Sequence, residues 1–397
     1  MIQNYFLKRT VVTSFQKAES SSESEYVYDA GVYVLHMTSS QTAVASALSD
    51  RSIVSYDRET MQMKGVIPQA HKKQITDLTM LHDTTAVSSS EDGFVKLFDL
   101  RQNSASACCS CSLPKEEALS VSVGYDGALI AVGGNKGKLT FFDVRSSNSC
   151  QNVLGQYVDA HTLEVTKVRF MKENDRILAS GSEDGLVCIY DTSQPAEESA
   201  LRSILNVEAP LRNLNFFGPN NGGIVPGIWC LTGNETMSIW HWDAAQRMCD
   251  YGGDSIRHTL SSLVNQKCNT FGSIDYLVGC TWREQEQQLS LLAGSSSGNA
   301  GIFDVSNDGT FPTMSILSKG HMGCIRSYCW RQETTGLSNI YTGGEDARIC
   351  EWSLQSPKES VTSSHYYQNH VDKPRVGGGP ISRRRKGRHT PKNSTPY

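Results

Sequence analysis

His161, Ser180 and Asp184 are the residue types of a hydrolase: a hydroxyl to attack a carbonyl, an imidazole to take its proton and a carboxylate to orient the imidazole. Repetition argues against that reading. The set recurs as His71, Ser88 and Asp92 and again as His321, Thr342 and Asp346, each time with the hydroxyl four residues before the Asp. In all three an aromatic, Phe98, Tyr190 or Trp352, stands six residues after the Asp. A catalytic constellation is made once in a chain, so a set made three times and closed by a ring reads as a structural network.

Other chemistry fares no better. No G-x-S-x-G elbow precedes a strand-to-helix turn. Gly133, Gly134 and Gly137 lie in a strand-turn-strand context with no GK[ST] opening a helix, so they read as turn glycines rather than a phosphate loop. The acid pairs Glu91-Asp92, Glu183-Asp184 and Glu345-Asp346 supply one network Asp each and one solvated Glu. Cys108, Cys109 and Cys111 lack the paired CxxC spacing and the nearby His of a zinc site, and their alternation fits a strand. The 12 cysteines are scattered through a long chain with no secretory leader, which predicts reduced, mostly buried thiols. No enzyme activity, cofactor or metal is expected.

The elements that position these residues are strands. Around the second set, Val165 to Phe170 alternates, Ile177 to Ser182 is apolar, Asp184-Gly185 makes a tight turn, and Leu186 to Tyr190 is β-branched and aromatic. A sheet this short leaves both faces wet unless copies stack on it. Closing aromatics at Tyr56, Phe98, Phe142, Tyr190, Trp242, Phe303 and Trp352, the first six each followed by Asp, recur at intervals of 42 to 61 residues, which predicts seven blades. Four copies are degenerate. Blade one keeps Ser46 and Asp50 without a loop His, blade three has Lys136 for the Asp, blade five has Thr232 and Thr236 in the hydroxyl and acid positions, and blade six has Ser297 for the Asp. The long interval before blade six leaves room for a loop insertion.

Residues 353 to 364 offer no apolar strand to complete blade seven, whereas the segment from Asn4 to Phe15 is a strand with no blade of its own. Pairing the two would remove a free sheet edge at the seam. The expected fold is therefore all-β, a seven-bladed β-propeller over residues 1–354 closed by the N-terminal strand, followed by a basic tail over 355–397.

That tail is too polar to offset the entropy of ordering and is expected to be disordered. The net charge of −4 conceals an asymmetry: residues 1–372 hold 29 Lys and Arg against 41 Asp and Glu, a net −12, while residues 373–397 hold eight basic residues and no acid. Arg383, Arg384, Arg385, Lys386 and Arg388 read as a nuclear localisation signal, an RNA-contacting arm or a solubilising run. An acidic body is not a broad phosphate-binding surface. No run of 18 apolar residues exists, so no membrane span is expected and the chain is placed in nucleus or cytoplasm.

The His, Ser/Thr, Asp and aromatic sets resemble the structural tetrad of WD repeats, in which the turn Asp accepts from the loop His and the hydroxyl and ring complete the chain. LVGCTWREQEQQLSLLAGSSSGNAGIFDV, GHMGCIRSYCW and YTGGEDARICEW, with HTLEVTKVRF and SGSEDGLVCIYD, are similar to one branch of that family over most of residues 40 to 352. The resemblance implies a monomeric, non-enzymatic ring that binds other proteins. Because WD-repeat scaffolds take part in ribosome assembly, it points to nuclear assembly factors as partners. A rival role comes from FDLR, ending in Arg101, and FDVR, ending in Arg145, which are similar to the WD-x-R box of substrate receptors for the cullin 4 ubiquitin ligase, where the Arg contacts the adaptor. Both boxes carry Phe where that pattern has Trp or Tyr, and the alternative is that each Arg pairs with an acid on the rim.

Overall fold

The computed structural model describes residues 5–13, 15–17, 26–28, 31–102, 106–145, 153–218, 227–268, 271–306, 309–331 and 339–354. The tail from 355 onward, with Arg383, Arg384, Arg385, Lys386 and Arg388, lies outside them.

Seven four-stranded antiparallel sheets follow one another along the chain. Blades one to six occupy residues 34–67, 75–112, 118–157, 165–206, 211–251 and 276–317. Blade seven takes three strands from 325–354 and its outermost from Tyr5–Val12. That N-terminal strand pairs antiparallel with Arg348–Leu354, from Tyr5 opposite Leu354 to Val12 opposite Arg348. The ring is therefore a seven-bladed propeller closed by the chain's first strand, because blade seven has no polar-free segment after it to serve instead.

The core lies between blades. Each blade's strands are apolar on both faces, and each face packs on the next blade; Ile177, Ala179 and Ile189 of blade four meet Leu214, Ile228 and Trp240 of blade five. Seven such clusters join seven blades. The cluster of Val34, Val44 and Tyr56 with Tyr341 and Ile349 joins blade one to blade seven and completes the ring. Burying a side chain of this size contributes about 1.5–3 kcal/mol, so no blade is stable without its neighbours.

Two turn glycines make the stacking close. Gly137 has φ +75°, and a Cβ there would come 2.3 Å from the His161 carbonyl oxygen at the entry of the next blade. Gly298 has φ +86° and stands 2.5 Å from the His321 carbonyl oxygen on the same measure. Both require glycine twice over, by backbone conformation and by space.

The sequence reading needs three corrections. In blade five the ladder pairs Ile228 with Trp240 and Cys230 with Ser238, so Trp240, not Trp242, occupies the closing aromatic position. The hydroxyl and acid positions are then Cys230 and Asn234, not Thr232 and Thr236; two tryptophans spaced by two, both on one strand face, made the register ambiguous. The expected loop before blade six contains a 15-residue helix, Gly253–Lys267, whose Ile256, Leu260 and Val264 are buried at i, i+4 and i+8 against the interface of blades five and six. Cys109 is disulfide-bonded, against the expectation of thiols throughout, while the ten other cysteines among the described residues carry thiols.

Candidate interaction site of the ring

The three His-centred networks share their first links. His161 Nδ1 lies 3.1 Å from Asp184 Oδ2 and its Nε2 lies 2.8 Å from Ser180 Oγ, all enclosed within the blade. His71 stands 3.2 Å from Asp92 and 2.8 Å from Ser88, and His321 stands 3.0 Å from Asp346 and 2.8 Å from Thr342. Each Asp also receives backbone N–H groups: Lys72 and Phe94 donate to Asp92, Thr162 and Leu186 to Asp184, Met322 and Arg348 to Asp346. One carboxylate thus ties the entry loop of a blade to its own turn.

The last link differs among the three. Trp352 Nε1 donates to Thr342 Oγ1 at 2.7 Å, so in blade seven the chain runs unbroken from ring to carboxylate. Phe98 has no donor and packs edge-on to His71 at 6.4 Å, and Ser88 Oγ faces the Lys96 carbonyl instead. Ser180 Oγ likewise faces the Cys188 carbonyl rather than Tyr190. The expectation that the ring completes all three networks therefore holds only where it is Trp. Burial holds His161 below the ordinary imidazole range despite the Asp184 carboxylate. His321 goes the other way: burial, the largest single influence, opposes its charge, but the Asp346 and Cys350 side chains together outweigh it and raise it to about 9. Thr342 then accepts from two donors, whereas Ser180 is free to donate to a neutral ring.

Arg101 and Arg145 are arranged alike. Arg101 Nε and Nη2 lie 2.9 and 2.7 Å from the Asp99 carboxylate, and its backbone N–H donates to the same group at 3.0 Å. Arg145 repeats this on Asp143 at 3.0, 2.5 and 3.0 Å. Both guanidiniums are about seven-tenths exposed, and each holds its Asp down to about 2 chiefly through the side-chain hydrogen bond.

A cavity of about 770 Å³ opens at the end of the ring where the innermost strands turn back. Trp282, Trp330 and Phe217 line it half-buried, with Phe217 and Trp282 rings 5.8 Å apart. Trp330 presents a buried Nε1–H that has no hydrogen-bond partner. A Lys172–Glu284 pair at 2.7 Å links blade four to blade six at this rim. Half-buried aromatics ringed by charges are the chemistry of a protein-docking surface.

Comparison with known proteins agrees with this geometry. The family description "WD domain, G-beta repeat" matches residues 64–99 and 149–191, which end on the closing strands of blades two and four. The chain is 26% identical to WD repeat-containing protein GTS1 of Arabidopsis thaliana, covering 98% of this chain and 93% of that one. It is 27% identical to the WD repeat-containing protein 89 homolog of Dictyostelium discoideum, covering 81% of this chain and 82% of that protein. This is a WD-repeat propeller. A chain in the "Crystal Structure of Mitotic Checkpoint Complex" superposes on it with a TM-score of 0.63 over 88% of this chain and 92% of that chain at 13% identity, which is a likeness of fold.

The WD-repeat ring also holds a feature that the repeat signature does not announce. Every innermost strand carries a bulge within three residues of its start, and the register resumes at His36, Asp77, Ser120, Lys167, Asn213, Gly279 and Ser327. Asp77 is buried at this level and receives Ser120 Oγ at 2.7 Å, Lys167 Nζ at 3.1 Å and Arg169 Nη1 at 3.0 Å. Arg169 and Lys167 outweigh burial and hold the Asp77 carboxyl far below its usual range. Burial drives Lys167 down to about 8 and His36 down to about 4. The sequence signal was a polar residue at the third position of ITDLTM and VTKVRF, where a half-buried strand would otherwise be expected to alternate outward.

Among the described residues, no group of three His, Cys, Asp or Glu side chains converges as a metal site, and no helix is long and apolar enough to cross a membrane.

Proposed function

We propose that this WD-repeat propeller is a non-enzymatic scaffold for protein assembly, docking partners at the aromatic mouth formed by Trp282, Trp330 and Phe217. The observation that carries the reading is a cavity large enough for a peptide segment and lined by three half-buried aromatic side chains, Trp282, Trp330 and Phe217. WD-repeat propellers commonly serve as protein-interaction platforms, and nothing in the three His networks presents a nucleophile to solvent: Ser88, Ser180 and Thr342 are fully enclosed. We assign the partners to nuclear assembly, with ribosome assembly factors first, on the strength of the basic cluster at Arg383 to Arg388. The tail would bring the ring to the nucleus or contact RNA there, while the ring itself acts as a monomer.

The experiment is quantitative affinity capture of the full chain against Trp282→Ala/Trp330→Ala. Loss of a discrete set of ribosome assembly factors in the double variant, with its circular dichroism unchanged, supports the reading. Partners retained in full by that variant sink the mouth as the docking site.

A second reading, adaptor docking to a cullin 4 ubiquitin ligase through Arg101 and Arg145, is favoured by one observation: two adjacent blades present identical, exposed, preformed Arg–Asp forks. Capture of that adaptor by the wild type and its loss in Arg101→Ala/Arg145→Ala would select this reading over local rim pairing.

A further inference from the structure

A second cavity of about 280 Å³ lies at the level of the bulge ring, lined by His36, Asp77, Lys167, Asn213 and Ser327 together with Arg169, Arg212 and Arg326. Four cations face it and one carboxylate does. Two cations are neutralised from outside the cavity, Arg212 by Glu235 at 2.8 Å and Arg326 by Glu345. Lys167 and Arg169 are left to share the single charge of Asp77. Burial drives His36 down to about 4 and keeps it neutral, and Asp77 is the one carboxylate among the lining residues.

The hydrogen-bond accounting points the same way. Asp77 Oδ2 is saturated by the donors from Ser120, Lys167 and Arg169. Lys167 has three N–H groups and uses one, on Asp77. Asn213 spends its carbonyl oxygen on the Leu214 N–H at 3.0 Å, which leaves its amide hydrogens unspent. Ser327, 8% exposed, has a buried Oγ without any partner. A buried hydroxyl with no partner is rare in a folded chain and calls for one. The cavity has room for several atoms beyond a single water, whose share of liquid volume is about 30 Å³, and sits below the range of about 300 Å³ and up that is usual for larger organic ligands.

We infer that the channel of this ring is a binding site for a small oxyanion, a phosphate or carboxylate group held by Lys167, Asn213 and Ser327 against the Asp77–Arg169 pair. The bulge that recurs in all seven innermost strands is what turns these side chains to one level. Such a site would set the charge of the channel independently of any partner at the aromatic mouth, and the two can be tested apart.

The test is titration calorimetry of the full chain with pyrophosphate in one arm and citrate in the other, at fixed ionic strength. Because the basic run would also attract anions, the same titrations are made on a chain with Arg383, Arg384, Arg385, Lys386 and Arg388 replaced by Gln. The expected result is one saturable site that survives the tail replacement and whose Kd rises at least tenfold in Lys167→Gln and severalfold in Ser327→Ala. The arm that binds more tightly identifies phosphate or carboxylate as the natural group. Ser327→Ala removes no existing bond and should keep the wild-type melting temperature in the absence of anion, whereas Lys167→Gln breaks the buried pair with Asp77 but leaves that carboxylate its Arg169 and Ser120 partners, so it should stay folded with a lowered melting temperature. The inference is overturned if the tail-replaced chain shows no saturable binding of either anion at millimolar concentration, or if both channel variants bind as the wild type does.

Discussion

Replacing Thr342 by Val in blade seven should cost more than replacing Ser180 by Ala in blade four, although both remove one fully buried hydroxyl from the same place in the repeat. Thr342 Oγ1 accepts from Trp352 Nε1 at 2.7 Å and faces His321 Nε2 at 2.8 Å; with His321 raised to about 9, that nitrogen also carries a proton at neutral pH. Val keeps the shape and strands two buried donors, one of them charged. Each unsatisfied buried group costs about 1–3 kcal/mol, and more when charged, so the loss should be about 3–5 kcal/mol. Ser180→Ala strands only the acceptor nitrogen of a neutral His161 and should cost about 1–2 kcal/mol. A ring of repeats need not unfold in one step, so the readout is native-state hydrogen exchange resolved by blade, with urea midpoints as support. The coupling is isolated by Trp352→Phe, which removes one of the two donors: Thr342→Val in that background should cost clearly less than in the wild type. Equal costs in blades four and seven, or no change in the Trp352→Phe background, would refute the unbroken chain.

Three further outcomes follow from the geometry. The folded pKa of His321, about 9, lies above its unfolded value near 6.5, so its contribution to stability is fully present below about pH 6.5 and is lost as pH rises through about 9; blade-seven exchange protection should fall across that window in the wild type and not in His321→Gln. Asp184 is depressed by its backbone donors and His161 against the opposing effect of burial, so its contribution is present above about pH 4 and fades as pH falls further; Asp184→Asn should flatten the acid limb of the melting curve. Leu260→Ala in the Gly253–Lys267 helix, where Leu260 is fully buried, should cost about 2–5 kcal/mol and loosen only the interface of blades five and six, which limited proteolysis can localise.

How much of this was legible beforehand depends on whether the information is local. The turn Asp, the hydroxyl four before it and the aromatic six after it lie on one hairpin, so their spacing reports their contact directly. Closure by the N-terminal strand was legible for a different reason: blade seven visibly lacked a fourth strand and the chain visibly had one to spare. The tetrad's last link was not legible, because Phe98, Tyr190 and Trp352 are interchangeable as packing but only the indole N–H reaches the hydroxyl. Blade five was misregistered because Trp240 and Trp242 satisfy the same period-two pattern, and only the pairing of Ile228 with Trp240 separates them. The channel ring was missed altogether. Its members sit about 40 or more residues apart, and a lone Asp77 or Lys167 in a strand reads as a solvent-facing residue until seven strands are brought round one axis.

The seam offers the sharpest test of closure, because it is fastened by charge as well as by backbone. Glu351 is fully buried in the strand that receives the N-terminal strand, and its Oε1 is reached by Lys8 Nζ at 3.0 Å and by Asn339 Nδ2 at 3.0 Å. Lys8 is the residue at which the register slips, so a bulge in the closing strand is what aims it inward. Arg9 Nε stands 3.7 Å from Oε2, an ion-pair distance too long for a hydrogen bond, and Oε2 has no hydrogen-bond partner of its own. Deleting the strand would expose Glu351 to water and confound two effects, so the informative variant keeps the strand and removes its charges. Lys8→Met/Arg9→Met leaves a buried carboxylate held by one amide. Breaking a buried pair outright costs about 3–5 kcal/mol; the two cations are about four-tenths exposed, which discounts the expected loss to about 1–3 kcal/mol. Adding Glu351→Gln removes the stranded charge and should recover most of that loss, since the amide can still accept from Asn339. Exchange protection should drop first in the strand pair Tyr5–Val12 and Arg348–Leu354 and be restored there by the third substitution. If the double variant is as stable as the wild type, or if Glu351→Gln deepens the loss, the ring is closed by strand pairing alone and the charges at its seam are bystanders.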